Sequence, residues 1–323
     1  MTQKTMILAI ALSVWLGTVQ AQVPTYPIRS IKFIVPYPPG GSTDNLARPL
    51  AEKLRAQLNQ PVIIDNQAGG NSVIGAGNMA RAEPDGYTIM LGATSTLATT
   101  QVLYKNLPYN VLTDFAPITQ LTEYPYVIAV ASSFEVKTIS ALLAEASAKP
   151  GQIAYATTGL GSPAHIGGAL LEVLGKVQFG HIPYKGGSQA VTDLVGGRVH
   201  FMLSGLAQGM DGLVKAGKVR LIAVTSQNRI SSHPDLPTVA ETIPGYQMRA
   251  WFGLVTRQGT PRSIIQTLNR EVIKALQSPE VSKLLTAQGV PPVYGTPEEL
   301  TELMKLEMAN TRKVAGALKL DLQ

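Results

Sequence analysis

Residues 31–48 read IKFIVPYPPGGSTDNLAR, and the fold turns on how this stretch is parsed. Ile31 to Val35 is an apolar, largely β-branched run of strand length. Pro38, Pro39, Gly40 and Gly41 end it, and Ser42, Thr43 and Asp44 stand where a helix starts. Adjacent glycines let the backbone turn sharply and approach a ligand closely. The N–H groups of a helix's first turn, at the positive end of its dipole, attract an anion. The stretch therefore predicts a strand, a tight turn and an anion-binding helix head. Pro49 deletes a backbone donor and disfavours helical geometry at Arg48, so a distorted first turn is expected, with regular helix from Pro49 on.

Working outward, similar apolar runs recur at Val62 to Ile64, Thr88 to Leu91, Val127 to Val130, Ile153 to Ala156, Phe179 to Ile182, Val199 to Leu203, Leu221 to Val224 and Phe252 to Val255. Helical patterns lie between most of them, as in Leu46, Leu50, Leu54 and Leu58 at four-residue spacing. Strands apolar on both faces with helices between them imply an α/β protein with open, largely parallel sheets. Ligands of such sheets bind beyond the carboxyl ends of the strands. Ser162-Pro163, Thr260-Pro261, Ser278-Pro279 and Thr296-Pro297 each pair a hydroxyl N-cap with proline at the first helical position. Thr296 with Glu299 also reads as a capping box heading a helix to about Leu318.

The chain has 323 residues, 45% hydrophobic and 15% charged, enough to bury large cores in two lobes. Lys4, the apolar stretch Met6 to Leu16, and Val19 and Ala21 in VQA have the layout of a secretory signal peptide cleaved after Ala21. No later run reaches the roughly twenty apolar residues that span a bilayer, so an exported, periplasmic mature chain is expected. With no cysteine, a disulfide framework, a thiolate nucleophile and a thiolate metal site are all excluded. The formal charge of +6 becomes +5 without Lys4. It is scattered, with no basic stripe interleaved with aromatics, which argues against nucleic acid.

The opening arrangement occurs a second time, in QIAYATTGLGSPAHIGGALL at 152–171. GLGSPA at 159–164 satisfies the dinucleotide pattern Gly-x-Gly-x-x-Gly/Ala. A nicotinamide site also needs an acidic residue about twenty positions on, and VQFGHIPYKGG supplies none. Gly175-Lys176 and Gly217-Lys218 are followed by valine rather than the Ser or Thr of a phosphate loop, and no Gly-x-Ser-x-Gly window occurs. His165, His181, His200 and His233 lack metal-ligand spacing. Anion-binding apparatus without a visible catalyst favours a binding protein with no cofactor. The alternative is a secreted Rossmann-like or hydrolytic enzyme acting on a small anionic substrate.

Several motifs carry a family resemblance: YPIRSIKFIVPYPPGGSTDNLAR, ARAEPDGYTIMLG, NLPYNVLTDFAPI, YATTGLGSPAHIGG, HIPYKGGSQAVTDLVGGRV and VRLIAVTSQNRISSHPDLPTVAE. In this order they resemble the Bug-type periplasmic solute receptors of tripartite tricarboxylate transporters, from about Tyr26 to the last helix. The resemblance implies a two-lobed periplasmic-binding-protein fold of type II-like architecture, with a ligand cleft between lobes. Lobe 1 would comprise 22–123 and 246–323, lobe 2 124–245, with crossings near Glu123 to Val127 and Glu241 to Met248. The implied ligand is a small carboxylate: a di- or tricarboxylate, an acidic amino acid or an aromatic acid. Capture by lobe closure would serve a membrane transporter or a sensor, with the receptor a monomer.

Family members usually carry Gly-Ala-Gly-Gly after the second strand. Here the stretch is NQAGGNSVIG, so Asn71 and Ser72 bring two extra side chains to the cleft. Ser188-Gln189 replaces the common Ala-Pro, His200 the usual acidic residue ending GGRV, and Ala169 a frequent Glu.

In lobe 1, Tyr37 and Pro39 to Thr43 are expected to wrap one carboxylate, with Gly40 in the turn and Gly41, Ser42 and Thr43 offering N–H and O–H donors. Asp44 complements the helix dipole but repels an anion, which favours a loop-fixing role. Thr94 and Ser95 either reach the same cleft or form an ordinary loop. In lobe 2, Thr157, Thr158, Gly159, Gly161 and Ser162 form the second cradle, with Ser162 also the N-cap. His165 either faces the cleft or bonds to its helix neighbours. Tyr184, Lys185, Gly186, Ser188 and Gln189 rim the pocket, Lys185 being either its formal positive charge or a solvated or interlobe lysine. Ser204, after HFML, completes the set.

Overall fold

The structure, a computed structural model, describes residues 26–318 apart from 160, 185, 206–209, 231 and 289. The expected signal peptide lies outside the described residues. The elements in chain order are β1 (Ile31–Val35), α1 (Ser42–Leu58), β2 (Val62–Asn66), α2 (Val73–Ala80), β3 (Thr88–Ala93), α3 (Thr100–Leu103), α4 (Val111–Asp114) and β4 (Phe115–Ala131). There follow α5 (Ile139–Ala148), β5 (Ala154–Thr157), α6 (Pro163–Gly175), β6 (Gly180–Pro183), α7 (Gly187–Val195), β7 (Phe201–Gly205), α8 (Met210–Lys215) and β8 (Val219–Val224). The chain then enters β9 (Arg249–Arg257), α9 (Arg262–Gln277), α10 (Pro279–Ala287) and α11 (Pro297–Leu318).

Among the described residues nine strands hydrogen-bond in the order β2-β1-β3-β9-β4-β7-β5-β6, with β8 also on β4. The parallel ladders expected from the sequence are β1 with β2 and β3, and β5 with β6 and β7. Between them the pairing is antiparallel, because β4 and β9 run against their neighbours. The 17-residue β4 joins the two groups. Phe115 to Pro125 pair with β9, and Tyr126 to Val130 pair with β7.

Strand alternation sets the cores. Ile31, Phe33 and Val35 of β1 face Leu46, Leu50 and Leu54 of α1 and Leu268, Val272 and Leu276 of α9. Ile34 and Met90 turn to the other face, against Met79 of α2 and Leu300, Met304 and Met308 of α11. In the second group Ile128, Tyr155 and Phe201 pack with α5 and α6, while Ala129, Ala156 and Met202 pack with α7. Helix α11 reaches both groups, since Val314 joins the cluster around Tyr155.

Three local expectations are corrected. Helix α1 begins at Ser42 and carries Pro49 inside it. The carbonyl that Pro49 leaves without its helical donor belongs to Asn45, an exposed residue, so the lost bond is not buried and the helix continues. Thr260 does not cap α9: its hydroxyl donates to the carbonyl of Arg257, and Pro261 stands at the N-cap. Ser278 likewise donates to Ala275 of the preceding helix instead of capping α10. Ser162 and Thr296 do cap, the latter in a reciprocal box with Glu299.

Candidate functional site

The carboxyl ends of β2, β1 and β3 lie side by side, which gathers three loops. Tyr37 joins two of them, its hydroxyl 2.7 Å from Thr96 Oγ1 and 3.2 Å from Ser95 Oγ. Asn66 at the end of β2 donates to the Tyr37 carbonyl and to Asp44. Close approach continues at α2, where a Cβ on Gly75 would stand 2.7 Å from Pro36 Cβ.

Asp44 organises the first loop from within. Its carboxylate is 2% exposed and accepts from Gly40 N–H at 2.9 Å, Arg48 Nε at 2.7 Å and Asn66 Nδ2 at 3.0 Å. Burial alone would raise this carboxyl, but the bonds from Arg48, Gly40 and Asn66 outweigh it and hold the group below its ordinary value. Its charge is thus spent inside the loop. Gly40 takes φ +79° in the turn, and Pro39 and Gly41 are exposed. The first-turn N–H groups of α1, at Ser42, Thr43 and Asp44, have no intrahelical acceptor. Thr43 is buried; the side chain of Ser42 lies outside the described residues.

Asn71 and Ser72 stand at φ +52° and +75°, a left-handed region that costs most non-glycine residues energy and that persists where surrounding structure enforces it. Asn71 is exposed. Ser72 is 2% exposed, and its Oγ has no hydrogen-bond partner among the described residues. Thr94 is committed elsewhere: its hydroxyl donates to the Trp251 carbonyl at 3.1 Å and accepts from Trp251 N–H at 2.9 Å. Ser95 opens a π-helical turn, Ser95–Thr99.

The second cluster sits at the ends of β5, β6 and β7. Thr157 Oγ1 accepts from Gly159 N–H at 3.2 Å and lies 2.7 Å from His181 Nε2. Gly159 and Gly161 take φ +113° and +72°. Gly161 N–H donates to His165 Nδ1 at 3.1 Å, and Ser162 Oγ accepts from His165 N–H at 3.2 Å. His165 therefore bonds to its own loop. Thr158 is exposed. The N–H groups of Gly159 and Gly161, which the sequence placed in the second cradle, are engaged within their loop, as is that of Gly40 in the first.

Tyr184 N–H donates to the Thr157 carbonyl, placing the β6 loop beside the β5 loop. Its hydroxyl donates to Asp193 at 2.7 Å, and burial with that carboxylate pushes it up to about 12. Gly186 is the N-cap of α7, uncapped by any side chain, and a Cβ there would meet nothing within 4 Å. Ser188 and Gln189 are exposed in the first turn of α7. Ser204 is buried and paired with Val127 of β4. Lys185 lies outside the described residues. The two clusters approach each other where a Cβ on Gly161 would stand 3.0 Å from Leu103 Cδ1 and 4.0 Å from Thr99 Cγ2.

Of the residues that fix these loops, Thr96 lies outside every quoted motif, while Asn66, His181 and Asp193 lie within motif stretches without being singled out as site residues. Only the i,i+4 spacing of Asp44 and Arg48 was legible as a pair. Among the described residues no group of three or more His, Cys, Asp or Glu forms a metal-ligand cluster, and no helix is long and apolar enough to cross a membrane.

Residues 46–320 match the profile of the tripartite tricarboxylate transporter family receptor. Protein BugT of Bordetella pertussis is 38% identical over 277 residues, covering 85% of each chain. The solved structure of Rhodopseudomonas palustris Rpa4515 with adipate is similar at TM-score 0.78 and 33% identity, over 90% of this chain and 98% of that one. MatC (Rpa3494) from the same organism, with bound malate, is similar at TM-score 0.75 and 30% identity, over 90% and 99%.

Proposed function

The chain belongs to the tripartite tricarboxylate transporter receptor family, and from that premise we propose that it is a periplasmic receptor trapping a small carboxylate between its two loop clusters. The observation that carries this reading is the inward commitment of Asp44. It leaves the first-turn N–H groups of α1 as positive dipole ends with no acid turned toward the ligand. The uncapped head of α7, beside Ser188 and Gln189, offers the matching donors on the other side.

A linear dicarboxylate suits two such heads, one carboxylate to each. Adipate and malate, present with the similar R. palustris proteins, are the first compounds to try. Closure draws its driving force from a ligand that contacts both sides, since only differential affinity shifts a conformational equilibrium. Of the candidate residues, Tyr37, Pro39 to Thr43, Asn71, Ser72, Ser95, Thr158, Gly186, Ser188 and Gln189 line the ligand in this reading. Asp44, Thr94, Thr157 and Tyr184 hold the loops. Lobe 1 is 22–123 with 246–323 and lobe 2 is 124–245; β4 changes partners from β9 to β7 close to that boundary, between Pro125 and Tyr126. The signal peptide ends at Ala21, the mature receptor is a monomer, and it hands its ligand to membrane subunits or to a sensor.

Calorimetry against dicarboxylates, tricarboxylates, acidic amino acids, aromatic acids and neutral sugars tests the assignment. Binding of at least one dicarboxylate is expected. Sugar binding with no response to any acid overturns it.

A further inference from the structure

Behind the second loop stand two histidines whose arrangement exceeds what capping needs. His165 Nδ1 accepts the Gly161 N–H, so the ring is neutral with its hydrogen on Nε2. Its face stacks on His181 with ring centroids 4.3 Å apart and planes at 24°. His181 Nε2 lies 2.7 Å from Thr157 Oγ1, the atom that accepts from Gly159 N–H. The two left-handed glycines of the loop are thus secured by one imidazole each, Gly161 directly and Gly159 through Thr157.

The surroundings disfavour charge on both rings. Burial, and then His181, push His165 down to about 4, and burial lowers His181. Tyr155 of β5 stands 5.0 Å from the His181 ring. On α6 itself the nearest acid in sequence, Glu172, accepts from Phe179 N–H instead. An imidazolium would lose the Nδ1 lone pair and release the Gly161 N–H.

We propose that His165 and His181 form a positioning pair that sets the conformation of Thr157, Gly159, Gly161 and Ser162, and thereby the affinity for carboxylate, without touching the ligand. The proposal rests on the reading of this loop, through Thr158, as part of the carboxylate site beside the head of α7. It moves His165 from the lining of the cleft to the support of its backbone and adds His181.

The test uses adipate and malate as probes on the full chain. His165→Phe keeps the ring volume and the stack but removes the acceptor. Orphaning the buried Gly161 N–H is expected to weaken binding about tenfold or more. His165→Asn places an acceptor oxygen where Nδ1 was and is expected to recover affinity to within about threefold. Hydrogen exchange at Gly161 should accelerate in the Phe variant and not in the Asn variant. Nitrogen NMR of the wild type at pH 7 should show His165 as the neutral Nε2–H tautomer.

Wild-type affinity and exchange in His165→Phe, or an Nδ1–H tautomer in the wild type, overturns the pair. The tautomer measurement decides even where the Phe variant fails to fold, and His181→Phe supplies a second variant that keeps the stack. Binding of neither acid, nor of any other carboxylate, by the wild type would instead overturn the carboxylate reading, so the two failures are distinct.

Discussion

The backbone N–H of Gly40 donates to the buried carboxylate of Asp44 at 2.9 Å. That bond turns the carboxylate at the helix head, which would repel an anion, into the group that shapes the anion's loop. Arg48 and Asn66 complete the carboxylate's shell, so removing it strands three donors at once. Asp44→Ala is expected to cost about 2–3 kcal/mol, the range of one charge-assisted bond, because Arg48 is 56% exposed and rehydrates. Arg48→Ala should cost under about 1 kcal/mol. Since the folded carboxyl lies below its ordinary 3.8, this contribution is present above that pH and is lost as pH falls through the folded value. Urea melts of both variants at pH 7 and 3 check it; equal losses at pH 7 would reduce Asp44 to a surface ion pair.

Thr94 follows the strand that feeds the first cluster, yet both of its hydroxyl bonds go to the backbone of Trp251. Thr94→Val should destabilise by about 1–3 kcal/mol through the orphaned Trp251 groups, whereas Thr94→Ser keeps the hydroxyl. Carboxylate affinity, measured where each variant is folded, should remain that of the wild type. A selective loss of affinity in Thr94→Val, with stability intact, would make Thr94 a ligand contact.

What was legible in the sequence follows from how each element is buried. The parallel strands carry apolar residues on both faces, as in Phe33, Ile34 and Val35, all buried, and such runs need no alternation to be seen. The first two-thirds of β4 escaped notice because Pro117, Gln120, Glu123 and Pro125 interrupt it, and its register with β9 shifts between Pro117 and Thr119 and between Gln120 and Thr122. Bulges break the period on which strand reading depends. Thr119 is buried there against Gly295, a partner far along the chain. The glycine loops were visible as local patterns. The imidazole from β6 that braces one of them was not, since only the β5–β6 register, Tyr155 opposite His181, brings it near.

Two groups, buried His165 and partly buried Glu307, set acid stability in opposite directions. His165, pushed from 6.5 down to about 4 by burial and then by His181, binds its proton later than the unfolded chain does. Stability therefore falls as pH drops from about 6.5 to 4. Glu307 of α11 is pushed from 4.5 up to about 7 by burial, with Arg249 opposing and Glu123 adding. It binds its proton earlier than the unfolded chain, so stability rises as pH drops from about 7 to 4.5. Each is worth up to about 3 kcal/mol at about 1.4 kcal/mol per pH unit. Thermal melts at pH 7.5, 6 and 5 should show Glu307→Gln losing stability on acidification more steeply than the wild type, and His165→Asn gaining it. Three parallel profiles would contradict both assignments.

Gly40 and Gly161 allow a matched comparison of backbone strain with steric contact. Both take positive φ, +79° and +72°, so alanine at either costs about 1–2 kcal/mol from conformation alone. A Cβ on Gly40 meets nothing within 4 Å, whereas one on Gly161 stands 3.0 Å from Leu103 Cδ1. Gly161→Ala should therefore cost more than Gly40→Ala, and the excess should shrink in a Leu103→Ala background, giving a coupling of about 1 kcal/mol in a double-mutant cycle. Leu103 is 8% exposed, so its own truncation costs about 2–5 kcal/mol and the cycle requires all four proteins to be measured. Because Leu103 follows β3 and Gly161 follows β5, that coupling reports the approach of the two loop clusters directly. Equal costs for the two glycines with no coupling would mean that the clusters stand apart in solution.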